Sequence, residues 1–562
     1  MLELLLRLRA RPFLAIELGV GSLFINTLAL AQPMFVSQVL NRYIAHEVDA
    51  TLFTLVVGVL IAMVLEFVFR QNRAVLAQAV SVERDDALGR QGFAILMRAK
   101  TTALDQVPPE IRREVVNGTA SIEAAYNAGT IATLMDVPFS LLFLGVLYLI
   151  TPPLALVTAG FCLFAFLTGV LNSRTMDRKI GEMQKESGVG SALLGTALRE
   201  GDTIRCFNAG GFLGQQWQSH IQRLQALRRL ISSRQNLIQT LTQSTNGLMG
   251  VVVIGWGAVL VVKGALDVGL LIGCNILASK ALQPISRFAQ LGSAFSKARR
   301  ALETFEHLAT VPLETESGAI RHAYEGRVEL RDLAFAHASM PTPLFESLSV
   351  VLSPGAVCIV SGGNGTHTGK TTLARLMAGL LEPSRGHILV DGIDLKQVAP
   401  EWWRRQIIFL PQEPALLNAT LAENIRLNRP DLEDGEMSQI LEACGLRRFI
   451  DESPLGLQTP VVENGHRLAQ GIRRRIAWAR GLATSGWLVL LDEPIEGLDP
   501  EGRAAVNRIL ARLAESGRTL IILSSDPQVV RGSHVHIDLN AKPVPRVALS
   551  PATAPPAAMA MA

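Results

Sequence analysis

Residues 362–373 read GGNGTHTGKTTL, which has the composition of a phosphate-binding loop at the wrong length. The usual loop puts four residues between its first Gly and the Gly-Lys pair. Here six stand between Gly362 and Gly369, so two are extra. An apolar strand pattern, Ala356–Val360, enters the loop, and Lys370–Leu381 leaves it as a helix. In that context backbone N–H groups and the helix N-terminus present positive dipole to an anion. Gly363, Gly365, Thr366, Gly369 and Thr372 are the expected loop residues at the phosphates of ATP. Lys370 would reach the β- and γ-phosphates, and the Thr371 hydroxyl would ligate Mg²⁺. The C-terminal part of the loop keeps its spacing. The two extra residues are therefore expected to bulge around Thr366–Thr368, weakening Mg-ATP binding without abolishing it.

A second motif follows about 120 residues later. Leu488–Pro494 is an apolar strand ending in two carboxylates. Asp492 would hold Mg²⁺, directly or through water, and Glu493 would polarise an attacking water. A strand end with solvated acids is the bland alternative for one such motif alone; behind a Gly-Lys-Thr-Thr loop it loses its force. Gln412, on the loop Phe409–Pro414, could sense Mg²⁺ or the water, and Asp499 lies just after Glu493.

These residues need a scaffold, and the composition shows two kinds. The 562 residues are 49% hydrophobic and only 18% charged, with mean hydropathy +0.30. Soluble domains average about 25% charged, so membrane spans are expected. Apolar stretches of spanning length fall at about 13–40, 51–70, 131–150, 153–172, 240–263 and 265–283. Residues 70–130 carry Arg70, Arg73, Arg84, Arg90, Arg98 and Lys100, and residues 173–235 are equally basic. The joints at Thr151–Pro153 and Lys263–Asp267 are short. Positive loops stay inside, which gives six spans with both termini cytoplasmic. The long loops are expected to be spans that run on into the cytosol as helices, since structureless loops of that length are rare. Glu17, Glu66 and Asp136 sit in or beside spans. The preferred reading is that each lies near an interface or faces another helix, not that it is functional. The net charge of +4 is dispersed and calls for no nucleic-acid partner. The five scattered cysteines form no CxxC pair and read as reduced and structural.

From about Ser317 buried apolar strands alternate with helices, the pattern of an α/β domain. The expected layout is a membrane domain over 1–305, a linker over 306–325, a nucleotide-binding domain over 326–540 and a disordered Pro/Ala-rich tail over 541–562.

Taken together, the set resembles the nucleotide-binding domain of an ATP-binding-cassette transporter joined behind a six-span membrane domain. Within that superfamily the membrane half is similar to the type I secretion exporters. Residues 29–44, 134–157, 195–217 and 281–308 carry this likeness. The resemblance implies an α-helical six-span membrane domain followed by an α/β P-loop domain. It also implies an exporter in the cell inner membrane that works as a dimer of half-transporters, homo- or heterodimeric. ATP would sit between the phosphate loop of one copy and the signature loop, with Gly471, of the other. A membrane-fusion protein and an outer-membrane channel would be further partners, beside membrane lipid. Some secretion exporters carry a papain-like domain in front; about a dozen residues precede the first span, so none is expected here.

Four positions depart from the family. The loop is two residues long in excess. The signature Leu-Ser-Gly-Gly-Gln is replaced by Leu468-Ala469-Gln470-Gly471-Ile472. Ser525 stands where the family has its switch histidine, and His337 is the sole candidate for the adenine-stacking aromatic. Losing one preorganised donor costs about 10²–10³ in rate, and two are absent here. The expectation is a site that binds ATP and hydrolyses it slowly. The alternatives are a non-catalytic half-transporter beside an active partner, and a lipid or drug exporter of the same architecture. The topology has a direct check. In a cysteine-free background, a thiol at Pro152 should be labelled from outside and thiols at Glu110 and Glu200 only from inside. Labelling of position 110 from the outer face would overturn it.

Overall fold

The computed structural model describes residues 2–44, 49–315, 317–320, 323–337, 342–363, 368–526 and 533–549. The chain divides into two compact units, Met1–Ala99 with Ala103–Val311, and Lys100–Thr102 with Pro312–Ala562.

The first unit is helical. Among the described residues, six helical segments are long and apolar enough to cross a membrane: Pro12–Tyr43, Asp49–Arg98, Gly118–Ile150, Pro152–Arg199, Gly210–Val262 and Val268–Gln290. Their best windows have mean hydropathy from 1.4 to 2.7. Phe53, Leu60, Met63 and Phe67 on the second of them are exposed, and none of its apolar window is buried. Such a surface is stable only against lipid. Three segments of 50, 48 and 53 residues far exceed the bilayer. At 1.5 Å per residue each is roughly 75 Å long, against about 30 Å of hydrocarbon. The sequence explains where helices stop. Thr151 is extended at φ −148°, and Pro152 and Pro153 restart the helix at the positions where a missing N–H costs nothing. Gly264, at φ +72°, ends the fifth segment.

Helices cross closely where side chains are small. A Cβ on Gly169 would stand 2.7 Å from the Ala289 backbone, so only glycine fits that crossing. Arg73, buried inside the bundle, is paired. Arg73 donates to Asp136 at 2.5 and 3.2 Å and to Ser22 Oγ at 3.2 Å, and Asn26 donates to Asp136 at 3.0 Å. Glu66 accepts from Arg70 one turn on, and Glu17 is exposed.

The second unit is an α/β fold. A four-stranded antiparallel sheet has the order β2-β1-β4-β5, built from β1 (Val328–Phe335), β2 (Phe345–Leu352), β4 (Arg385–Val390) and β5 (Ile393–Asp394). A six-stranded sheet has the order β10-β9-β3-β8-β7-β6. Its strands are β3 (Val357–Ser361), β6 (Ile407–Leu410), β7 (Leu488–Asp492), β8 (Thr519–Leu523), β9 (Val535–Asp538) and β10 (Arg546–Leu549). Five run parallel and β10 returns antiparallel on β9. Every residue of β7 and β8 is buried, as for strands covered on both faces. Cys358 and Cys444 are buried here, and burial pushes each thiol up to about 12, so both stay protonated and serve as packing.

One expectation is corrected. Residues 541–549, assigned with the disordered tail, form a turn and β10, whose register pairs Arg546 with Asp538 and Leu549 with Val535. The strand is exposed along its whole length, so it carries no apolar period that composition could register. Main-chain pairing to the open edge of β9 holds it.

The Arg73–Asp136 pair gives a stability test. Asp136→Ala leaves a buried guanidinium uncompensated and should cost about 3–5 kcal/mol. Thermal denaturation in detergent should show that loss, with the double variant Arg73→Met/Asp136→Ala less destabilised than Asp136→Ala alone.

Candidate nucleotide site

The order β3-β8-β7 sets three carboxyl ends side by side. The phosphate-type loop follows β3, Ser524 and Ser525 follow β8, and Asp492 with Glu493 ends β7. Ligands in open α/β sheets bind outside the carboxyl ends of strands, so topology alone converges these segments on one place.

At the loop, Gly369 has φ +95° and precedes the helix Lys370–Met377. A Cβ there would also meet the Phe345 ring at 3.2 Å, so glycine is required twice over. Lys370 Nζ donates to Glu493 Oε1 at 2.6 Å, to Gly362 O at 3.4 Å and to Ser525 Oγ. Glu493 Oε1 also accepts from the Ser525 N–H and hydroxyl, each at 3.2 Å, and its Oε2 accepts from Ser524 Oγ at 3.2 Å. Its backbone is in the left-handed region, φ +48°, a strained state for a residue with a Cβ. The carboxylate therefore occupies the cationic end of the loop. Ser525 does not reach outward as a histidine would; its hydroxyl donates inward, to Gly362 O at 2.8 Å and to Glu493.

Thr371 Oγ1 donates to Asp492 Oδ2 at 2.6 Å. Asp492 is 1% exposed, and its Oδ1 is buried with no hydrogen-bond partner. Burial pushes its carboxyl above the ordinary value, the Thr371 hydroxyl draws it back, and the Glu493 charge adds to the rise. An orphaned, desolvated carboxylate oxygen next to a hydroxyl is the donor set a hard divalent cation takes, so these residues fit Mg²⁺.

Other expected residues lie elsewhere. Gln412 donates to Glu496 Oε2 at 3.2 Å. Asp499 accepts from the Gly502 N–H at 2.8 Å and from Arg475 at 2.6 Å, capping the helix Pro500–Glu515; those two donors hold its carboxyl below the ordinary value. His337 is exposed, edge-on to Phe335 at 5.0 Å. Thr372 is half-buried on the first turn of its helix. Gly363 gives its N–H to Asn540 Oδ1 at 2.6 Å. Gly365 and Thr366 lie outside the described residues. The signature segment begins the helix Gln470–Leu482. Ala469 is its N-cap and makes no side-chain cap bond, and Gln470 packs 3.3 Å from the place a Cβ on Gly497 would take. Gly471 has open space beside it.

One residue escaped the sequence reading. Arg474, 2% exposed, donates to Glu493 O at 2.7 Å and to Gln412 O at 2.8 Å, and contacts Glu496 at 3.4 Å. It joins the Gln412 loop to the strand end that carries Glu493. Only its place in the run Arg473–Arg475 marked it, and nothing there shows that Arg474 and Arg475 are buried while Arg473 is half-buried.

The carboxylate on Lys370 must leave before a phosphate can take its place. Glu493→Gln should therefore tighten nucleotide binding by about tenfold, the size of one charge-assisted hydrogen bond. Asp492→Asn should raise the melting temperature of the nucleotide-free protein while removing the Mg²⁺ dependence of binding. The sign follows from the raised carboxyl: the folded state favours its protonated form, so the cost is absent below the unfolded value and grows as pH rises through it. Calorimetric titration, with melting curves below and well above the ordinary Asp value, checks both.

Residues 15–285 match the ABC transporter transmembrane region and residues 345–496 match the ABC transporter domain. The chain is 27% identical over 529 residues to the alpha-hemolysin translocation ATP-binding protein HlyB of Escherichia coli O157:H7, covering 92% of this chain and 73% of that protein. It is 27% identical over 513 residues to the cyclolysin secretion/processing ATP-binding protein CyaB of Bordetella pertussis, covering 91% and 71%. The toxin RTX-I translocation ATP-binding protein of Actinobacillus pleuropneumoniae is 25% identical over 521 residues, with 92% and 73% covered. In structure, a bacterial Atm1-family ABC exporter with ATP bound superposes with TM-score 0.80 over 95% of this chain and 94% of that one, at 20% identity, which shows the fold. A membrane region of six apolar helical segments followed by an ABC ATPase domain makes this chain a member of the ABC transporter family, with the architecture of an exporter.

Proposed function

We propose that this chain is a half-transporter that moves a polar polypeptide out of the cytoplasm, as in type I secretion, driven by ATP binding and slow hydrolysis. The observation that carries the substrate class is a cleft of about 400 Å³ within the membrane unit. Ten of its eleven lining residues are polar, among them Gln32, Gln243, Asn246, Asn275 and Gln283. Among the described residues, Lys280 is the one charged group that lines it. Amides donate and accept like a peptide backbone, and a lone ammonium without a carboxylate partner in the lining favours acidic segments. A lipid tail or hydrophobic drug would leave these groups unpaired, at a cost for each. The names of the secretion relatives support the same reading.

In this reading residues 1–305 form the membrane domain, 306–325 the linker and 326–549 the nucleotide-binding domain. The basic loops support placing that domain on the cytoplasmic side of the inner membrane. Lys370, Thr371 and the remaining loop residues would hold the phosphates of ATP. Asp492 and Thr371 would hold Mg²⁺, which when bound neutralises phosphate charge. Glu493 would orient water, with Gln412 close in the chain of contacts through Arg474. A second half-transporter completes the site across the dimer, and a membrane-fusion protein and an outer-membrane channel complete the route. The uncapped Ala469 and the inward Ser525 favour a second reading for the catalytic step, in which a partner half-transporter supplies the active signature.

ATP turnover in proteoliposomes tests this, with Lys370→Ala as the blank. An unfolded acidic polypeptide should stimulate turnover, and Lys280→Met with Gln283→Leu should remove the stimulation. Stimulation by lipid or a hydrophobic drug alone would sink the substrate class. Ala469→Ser, Gln470→Gly and Ser525→His together should raise kcat about 10²-fold with little change in nucleotide affinity. An unchanged kcat would count against the impaired-site reading.

A further inference from the structure

We infer that the turn between β9 and β10 is a brace for the lengthened phosphate loop, and that Asn540 and Lys542 are positioning residues for nucleotide binding. The inference rests on reading this loop as the nucleotide site. β3 and β9 are parallel neighbours, with Ser361 opposite Asp538 and the Leu539 N–H donating to Ser361 O at 2.9 Å. The loop and the turn therefore leave the sheet side by side. Asp538 Oδ1 accepts both the Asn540 N–H and the Asn540 side-chain NH₂, each at 2.9 Å. That fixes the amide with its oxygen outward, and Oδ1 accepts the Gly363 N–H at 2.6 Å. Two residues on, Lys542 Nζ donates to Thr368 O at 3.2 Å and to Leu344 O. The Glu346 N–H donates to Pro543 O at 2.8 Å, tying the turn to the start of β2.

Gly363 and Thr368 are the first and last of the six residues between Gly362 and Gly369. Two turn residues, Asn540 and Lys542, hold both. Thr368 immediately precedes Gly369 and Lys370, so fixing its carbonyl sets the entry of the helix that carries Lys370 and Thr371. A longer loop has more conformations to lose on closing around an anion. A loop of the usual length needs no external hold, because strand and helix already close it. The brace therefore answers the insertion: it lowers the ordering cost that two added residues bring.

The test is a cycle of variants in the full-length chain in lipid nanodiscs, read with Mg²⁺ and the fluorescent nucleotide mant-ATP. Asn540→Ala with Lys542→Met should raise Kd about five- to tenfold, the size of one or two lost hydrogen bonds. Lys542→Arg should retain wild-type affinity. In a background with Thr366 and His367 deleted, which restores four residues between the glycines and keeps Thr368, the same pair of substitutions should change Kd less than about twofold. Hydrogen exchange in the nucleotide-free protein should show faster exchange of the peptide spanning 361–370 in the Asn540/Lys542 variant, with the peptide spanning 488–500 unchanged. Equal losses of affinity in both backgrounds, or exchange that quickens across both peptides, would mean that the turn only maintains the fold. Wild-type binding that the variant matches would overturn the brace and leave the nucleotide site standing. Absence of mant-ATP binding by wild type and by Lys370→Ala alike would overturn the nucleotide site, and the brace with it.

Discussion

A backbone N–H or C=O taken out of water must find a partner, and each unit of this chain answers that constraint differently. Lipid offers no partner, so the apolar stretches close their bonds within helices, whose exposed leucines and phenylalanines face hydrocarbon. The ATPase unit closes its bonds between strands. A parallel sheet leaves the carboxyl ends of β3, β8 and β7 with groups still to satisfy, and the side chains that follow satisfy them. Lys370, Glu493, Ser524 and Ser525 bond to one another there because the strands deliver them to the same edge.

That edge divides its counter-charges unequally. One cation, Lys370, faces Glu493 directly, while Asp492 is desolvated with one oxygen spare. Two carboxylates on adjacent residues would repel strongly if both lacked counter-charges. The arrangement gives the lysine to one and a hydroxyl to the other. It leaves a deficit of positive charge at Asp492, which suits a divalent cation, and an excess of hydrogen bonds at Glu493, which suits a residue held back. The departures at Ala469 and Ser525 fit this picture. Ala469 begins a helix with no cap, and Ser525 is short enough to fold into the lysine cluster.

How much of this the sequence disclosed follows physical lines. Apolar length located six spans, and runs of apolar residues located β3 and β7, because these signals are local. The loop end Gly369-Lys370-Thr371 and the pair Asp492-Glu493 were legible because their chemistry is spelled in adjacent residues. Pairings across the fold were not. Arg73 could have met any of three carboxylates in or beside the spans; only the packing shows Asp136. Arg474 sits among three arginines, and its inward course is a matter of helix phase against neighbours. β10 has no buried face and so no period, and the region from Ala541 onward read as tail. His367 and the residues just before it, where the bulge is expected, fall outside the described residues.

The Lys370–Glu493 ion pair has a further consequence for how the site meets its solvent. When an empty cationic pocket takes up a nucleotide, mobile ions are released and affinity falls steeply with ionic strength. Here the pocket is already neutralised by a side chain 2.6 Å away. Uptake of a phosphate exchanges one anion for another beside the same ammonium, and salt screens the outgoing pair as it screens the incoming one. The site is thereby buffered against changes in ionic strength by a counter-ion the chain carries with it.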